Sequence, residues 1–441
     1  MADPQSLERQ TRQLLADKVS GTLVGLWLLI PEHLRLGTWD LLCSWSGGAT
    51  QTLEPRMALQ LVHESALCTC NLREGRTLSQ KGFELANGLP FVAADQPIHQ
   101  LLDDHTVAQA QGLQMALGKL RRASGHYLGQ VLAIDPHRIR SYSKRQMSRI
   151  KPSRDAKPTK MAQTFFLLDA DTCQPICFTM GSAARRATDA ASELFGLAGQ
   201  ILNLDPKAPP LVLADEEHYT GEFFNPANHQ GFDVLAPMRA TRAQIERWSA
   251  LPERLFKPQW AGYATAKHPY LVGADQVRSF EFVQRSGERP QEYQFKGFLC
   301  SADRSEIQAM AQEFPKRWHI EEFFKFNQDL GWQRAGTLNL NIRYGQMTMA
   351  LLAQTVIHQF RQRIGDPFRS WDAPHLGKNL FGGLDGDIRV HDDTIVVTYY
   401  NAPNVEVLRS HYQDLPAKLE ADRIDPHIPW LYNFKLDFRF K

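Results

Sequence analysis

Two apolar runs that each close on an acid constrain this chain more than any other feature. "GQVLAID" ends at Asp135 and "PPLVLAD" ends at Asp215, 80 residues later (215 − 135). Between them lie "TFFLLDA" at 164–170, "PICFTMG" at 175–181 and the stretch "ATDAASELFGLAGQIL"; "GFDVLAPM" follows. Short runs rich in branched and aromatic residues read as strands, and apolar residues at three-to-four spacing read as a helix. Asp169-Ala170-Asp171-Thr172 has the composition of a hairpin turn. The expected order is three strands, a helix, a strand, a helical or loop segment, and a strand.

That order predicts an α/β fold with a ribonuclease-H-like core over 129–239 and 301–366. Residues 240–300 interrupt it: "YLVGADQVRSFEFVQRSGERPQEYQFKGFLC" alternates apolar and polar residues around Gly and Pro breaks, as an antiparallel β insertion would. Residues 1–128 carry helical spacing in "SLERQTRQLLADKV" and "RMALQLVHESALC", and are expected to form an N-terminal helical domain. From 367 to 441, "DIRVHDDTIVVTYY" and "VEVLRSHYQDL" predict a C-terminal α+β extension.

A length of 441 residues accommodates several domains or one large domain with an insertion. With 43% hydrophobic and 22% charged residues the composition is that of an ordinary globular chain. Net charge is only +2, so any affinity for nucleic acid must come from local clustering. Six irregularly spaced cysteines form no paired metal motif, and reduced thiols of a cytoplasmic protein are expected. Cys68-Thr69-Cys70 is a minor metal candidate. "GTLVGLWLLIP" falls well short of the roughly 20 apolar residues that span a bilayer, so no membrane partner is expected.

Asp135 and Asp215, on neighbouring strand ends, can reach one point. A third acid is expected from a later helix, and Glu321 in "KRWHIEEFF" lies 106 residues on (321 − 215). Hard oxygen ligands suit Mg²⁺, with Mn²⁺ as a substitute. Two such ions can activate a nucleophile and stabilise a leaving 3′-oxygen in phosphoryl transfer. The plainer reading of any single strand-end acid is a turn or cap residue. Asp169 and Asp171 compete with Asp135, although their turn explains them. Glu322 competes with Glu321 but points about 100° away around a helix.

From Arg138 to Lys160 run Arg138, Arg140, Lys144, Arg145, Arg149, Lys151, Arg154, Lys157 and Lys160, with Asp155 the only acid. Cations interspersed with hydroxyls can follow a sugar–phosphate backbone, though a charge run is more often a solvated face. Lys316 and Arg317 lie one turn before Glu321, where Arg suits a bidentate phosphate grip. Trp318, and less strongly Trp260, can stack on an unpaired base or simply pack. His137 and His218 follow the two Asp closely, and local hydrogen bonding is their simpler role.

"KRWHIEEFF" resembles the third-carboxylate region of bacterial insertion-sequence DDE transposases, in the group with a Tyr, Arg, Glu, Lys signature. In that signature Tyr is followed after two residues by Arg, after three by Glu and after six by Lys. With Glu321 in the Glu place, Arg317 takes the Arg place and Trp318 follows it; Phe314 stands for Tyr and Gln328 for Lys. "LAIDPHR" and "LVLADEEHY" resemble the first and second Asp regions, and the likeness covers roughly 129–365. It implies a ribonuclease-H-like catalytic core in which Asp135, Asp215 and Glu321 bind two Mg²⁺ ions. It also implies cleavage of transposon ends and strand transfer into target DNA, by a homodimer on double-stranded DNA terminal repeats. The N-terminal domain would read those ends, in the bacterial cytoplasm at the nucleoid. Two rivals stay open: a catalytically inactive transposase-derived DNA-binding protein, and a metal-dependent nuclease that cuts without joining.

Overall fold

The computed structural model describes residues 3–441 except 70–77, 79, 142–145, 152–155, 183, 274–276, 334–336 and 338. The chain is mixed α/β and divides into two compact units, residues 122–324 and residues 1–121 together with 325–441.

The 122–324 unit is built on one mixed sheet. Its first long strands are β1 (Val131–Arg140), β2 (Thr159–Asp169) and β3 (Gln174–Ser182), all antiparallel, and a two-residue strand, Arg149–Ile150, pairs with the start of β2. Helix α1 (Ala187–Leu202) then packs its buried face, including Leu194, Phe195 and Ala198, on β2 and β3. Strand β4 (Leu211–Leu213) pairs parallel to β1, and after helix α2 (Gly221–His229) strand β5 (Asp233–Pro237) pairs parallel to β4. Val131 to Ile134 and Leu211 to Leu213 are all buried, as parallel strands covered on both faces must be. This chain order agrees with the order read from the sequence.

Helix α3 (Arg242–Ser249) and strands β6 (Lys257–Trp260), β7 (Tyr263–Val272), β8 (Val277–Ser286) and β9 (Gln294–Cys300) follow. The four strands are antiparallel, and β9 pairs with β5. They therefore extend the same sheet rather than closing a separate one. Trp248 of α3 is fully buried, its indole donating to Glu281 at 2.9 Å. Gly297 leaves the room, since a Cβ there would lie 2.1 Å from the Trp248 ring.

Two local expectations are corrected. Asp135 does not end its strand: β1 loses its parallel neighbour after Ala133 but keeps its antiparallel partner as far as Arg140, opposite Met161. The turn before Glu321 that carries Lys316 and Arg317 is also not α-helical. A π segment, Gln308–Glu313, gives way to a 3₁₀ segment, Phe314–Trp318, before helix α4 (His319–Asn327). Pro315 lacks the N–H that a regular helix would use at that point.

In the other unit, helix Leu340–Ile364 packs against helices Leu53–Ala66 and Asp95–Asp104. The strand Val19–Gly21 pairs with Gly386–His391, which pairs with Thr394–Tyr399, which lies parallel to Lys435–Phe440. Residues expected to form an N-terminal domain and a C-terminal extension thus share one sheet and one core. A three-residue strand such as Val19–Gly21 is too short to stand alone and takes its order from the neighbour. Arg56 fastens the same parts, donating to the carbonyls of Gly88 at 3.1 Å and Trp430 at 3.0 Å. Among the described residues no helix is long and apolar enough to cross a membrane.

Candidate active site

Strand register sets the site. Val131 pairs with Leu211, Leu132 with Val212 and Ala133 with Leu213. That offset of 80 (211 − 131) is the spacing of Asp135 and Asp215, so each acid lies two residues beyond the last parallel pair. There the parallel pairing ends, so Asp135 and Asp215 occupy matching positions past the last pair, near enough that Asp215 helps raise the Asp135 carboxyl. Asp215 also accepts the Glu216 N–H at 2.7 Å, capping a short 3₁₀ turn.

The helix bearing Glu321 is held against β1 and β2 by aromatic contacts. Phe323 and Phe324 are buried against Phe166, and Phe324 stacks on His137 with ring centroids 4.5 Å apart. Burial of Ile320, Phe323 and Phe324 leaves Glu321 and Glu322 exposed. Glu321 is the one tied to the strand acids. Arg317, only 8% exposed, places Nη2 3.2 Å from Glu321 Oε1 and Nη1 3.9 Å from Asp135 Oδ1. Trp318 lies beside it, more than half exposed, with its ring centre 5.2 Å from the guanidinium carbon.

Burial pushes the Asp135 carboxyl up to about 7; Arg317 opposes the rise, and Asp215, Glu321 and Glu217 add to it. A proton or a cation is therefore favoured there. The donor chemistry, hard carboxylate oxygens, fits Mg²⁺ or Mn²⁺. Their present arrangement does not close on an ion: among the described residues no group of three His, Cys, Asp or Glu side chains is placed to hold one. The guanidinium of Arg317 lies between Asp135 and Glu321 instead.

The cations singled out in the sequence separate into two sets. Arg140, Arg149 and Lys151 are exposed, and Arg138 is exposed but engaged. Its Nε donates to Gln163 at 2.8 Å and its Nη2 pairs with Glu217 at 3.2 Å. Lys316 is paired with Asp171 at 2.5 Å and so is turned to the hairpin between β2 and β3. Arg317 is buried between acids rather than offered to solvent. Lys144, Arg145 and Arg154 lie outside the described residues, as does Cys70.

Asp169 is spent on structure. It accepts the N–H groups of Leu128, Gly129, Asp171 and Thr172 at 2.6 to 3.1 Å. His137 and His218 are held neutral by burial, His137 lowered to about 4. Phe314 packs edge-on against Phe298 with centroids 4.9 Å apart, so its position is filled by ring contact. Trp260, also exposed, stacks face to face on Tyr263 at 4.1 Å.

Sequence reasoning missed Glu217, Gln163 and the Arg185–Arg186 pair. With Arg138 and Lys151 they line a cleft of about 490 Å³ beside β1. Glu217 stood in plain view two positions after Asp215, whereas Gln163 is found only from the β1–β2 register, where it lies opposite Arg138. A larger cleft, about 870 Å³, lies over the four-stranded sheet of the other unit; it contains none of these acids, so its size does not mark the chemistry.

No protein-family model matches the sequence, and no curated protein matches it. Among solved structures the chain is similar to the cryo-EM structure of a piggyBac transposase synaptic complex with hairpin DNA. Identity is 11% and the TM-score 0.43, over 83% of this chain and 82% of that one, a likeness at which no residue carries across.

Proposed function

We propose that the chain is a DDE transposase, cutting the ends of a DNA element and transferring the freed 3′-hydroxyls to target DNA. One observation supports the reading: Asp135 and Asp215 occupy matching positions past the last parallel pair, and Arg317 contacts both Asp135 and Glu321. In this reading the core is ribonuclease-H-like, and the three acids hold two Mg²⁺ ions. Bound ions would lower the barrier to phosphoryl transfer by polarising the phosphate and stabilising the leaving oxygen.

The protein's own groups have separate tasks. Asp135 and Asp215 would offer carboxylate oxygens from neighbouring chain segments while α4 supplies Glu321. Arg140, Arg149 and Lys151 follow the DNA backbone away from the acids, and Arg138 joins them by exchanging Glu217 for a phosphate. Trp318 is positioned beside Arg317 to cover an unpaired base. Two ends cut together require two copies, so a homodimer on paired terminal repeats is the working form.

The Arg317 bridge also favours a second reading, a transposase-derived DNA-binding protein whose acids are permanently neutralised. One experiment separates them. Purified protein is incubated with Mg²⁺ and a labelled duplex carrying the repeats that flank its gene, alongside Asp215→Asn. Cleavage at the repeat boundary that disappears in the variant is expected, and joined products distinguish a transposase from a nuclease. Tight binding with no cleavage in Mg²⁺ or Mn²⁺ would leave the binder.

A further inference from the structure

We propose that Arg317 is an internal counter-cation that competes with divalent metal for Asp135 and Glu321, and that a DNA phosphate relieves the competition by drawing the guanidinium away. The inference rests on the metal reading above.

A guanidinium almost wholly removed from water needs a counter-charge close by. For Arg317 the two ion-pair partners are acids of the proposed metal site, at 3.2 and 3.9 Å. The longer contact is too loose for a directional hydrogen bond, so the bridge is held mainly by charge. Charge is also what a divalent ion would supply, and both cannot occupy the gap between the acids. The neighbouring Lys316 is turned to Asp171 and takes no part.

Release is built into the local backbone. Arg317 sits on a 3₁₀ segment that follows a π segment and precedes α4. Such irregular turns have poorer hydrogen-bond geometry than an α-helix and often mark a hinge. A phosphodiester offers the guanidinium a planar two-oxygen partner in place of two separate carboxylates. DNA would then raise metal affinity at the acids, and the free protein would carry little metal.

Mn²⁺ binding to the full chain, read by the loss of its free electron paramagnetic resonance signal, tests this without relying on cleavage. Without DNA, Arg317→Gln should bind Mn²⁺ about tenfold more tightly than wild type, as expected for loss of one close cation. Arg317→Lys and Lys316→Gln should stay within about threefold of wild type, the second reporting the effect of a nearby charge that does not bridge the acids. Adding Asp135→Asn to Arg317→Gln should remove the gain. With the Mn²⁺ bound by DNA alone subtracted, duplex DNA should raise wild-type affinity by a larger factor than that of Arg317→Gln, in which the competition is already absent. If Arg317→Gln does not fold, Arg317→Met, which keeps the length of the side chain without its charge, takes its place. Equal Mn²⁺ affinity with and without Arg317, in proteins that both lose binding with Asp135→Asn, would overturn the competition and keep the metal site. Mn²⁺ affinity indifferent to Asp135 in every form would overturn the metal reading itself.

Discussion

Replacing Asp135 with Asn should make the metal-free protein more stable at pH 8 while abolishing the cleavage proposed above. Burial and neighbouring acids raise this carboxyl from 3.8 to about 7. Each unit is worth about 1.4 kcal/mol between protonation states, which gives roughly 4 kcal/mol as a ceiling. Arg317 loses a partner in the variant, and about half of that ceiling, some 2 kcal/mol, is the expected gain. For a unit of this size that is about 4–8 °C in melting temperature. The sign follows from proton counting: between about pH 4 and 7 the folded state keeps a proton that the unfolded chain has released. Wild type therefore loses stability as pH rises through that window, whereas Asn has nothing to titrate. Thermal melts in EDTA from pH 4.5 to 8, followed by tryptophan fluorescence, measure it. Curves that diverge with rising pH are expected. A variant that melts below wild type by the same margin at every pH would refute the argument, because Asp135 would then be an ordinary structural acid.

Other outcomes follow from neighbouring geometry. Asp169→Asn removes charge from an oxygen set that accepts four backbone N–H groups, and should cost about 1–3 kcal/mol in denaturant melts without changing Mn²⁺ affinity. A fall in metal affinity equal to that of Asp135→Asn would instead make Asp169 a ligand. In the other unit, burial raises Glu32 from 4.5 to about 7 despite Arg35 and Arg363. Stability there should fall by up to about 3 kcal/mol as pH rises through that interval, and Glu32→Gln should flatten the dependence. Unchanged pH profiles in the variant would place the titration elsewhere.

Local signals were enough for the strands and their order. Apolar runs bounded by turn residues located β1 to β5, and the Asp169–Thr172 turn was legible because its composition is local. The spacing of Asp135 and Asp215 was also legible, since parallel neighbours that begin in step keep one offset along their length. The extension of β1 to Arg140 was not: it depends on Met161, brought opposite by the hairpin.

The residue types therefore determined which acids stand at the sheet and which stretch of chain is basic. Only tertiary structure decided what those charges do. In sequence Lys316 and Arg317 are adjacent cations of one kind; folded, one pairs with Asp171 and the other bridges Asp135 and Glu321. The sharing of one sheet by Val19–Gly21 and Gly386–His391 was equally invisible, for it joins segments hundreds of residues apart. Periodicity reports the face a residue buries. It carries no record of the partner that burial brings within reach, and charge acts through that partner and its distance.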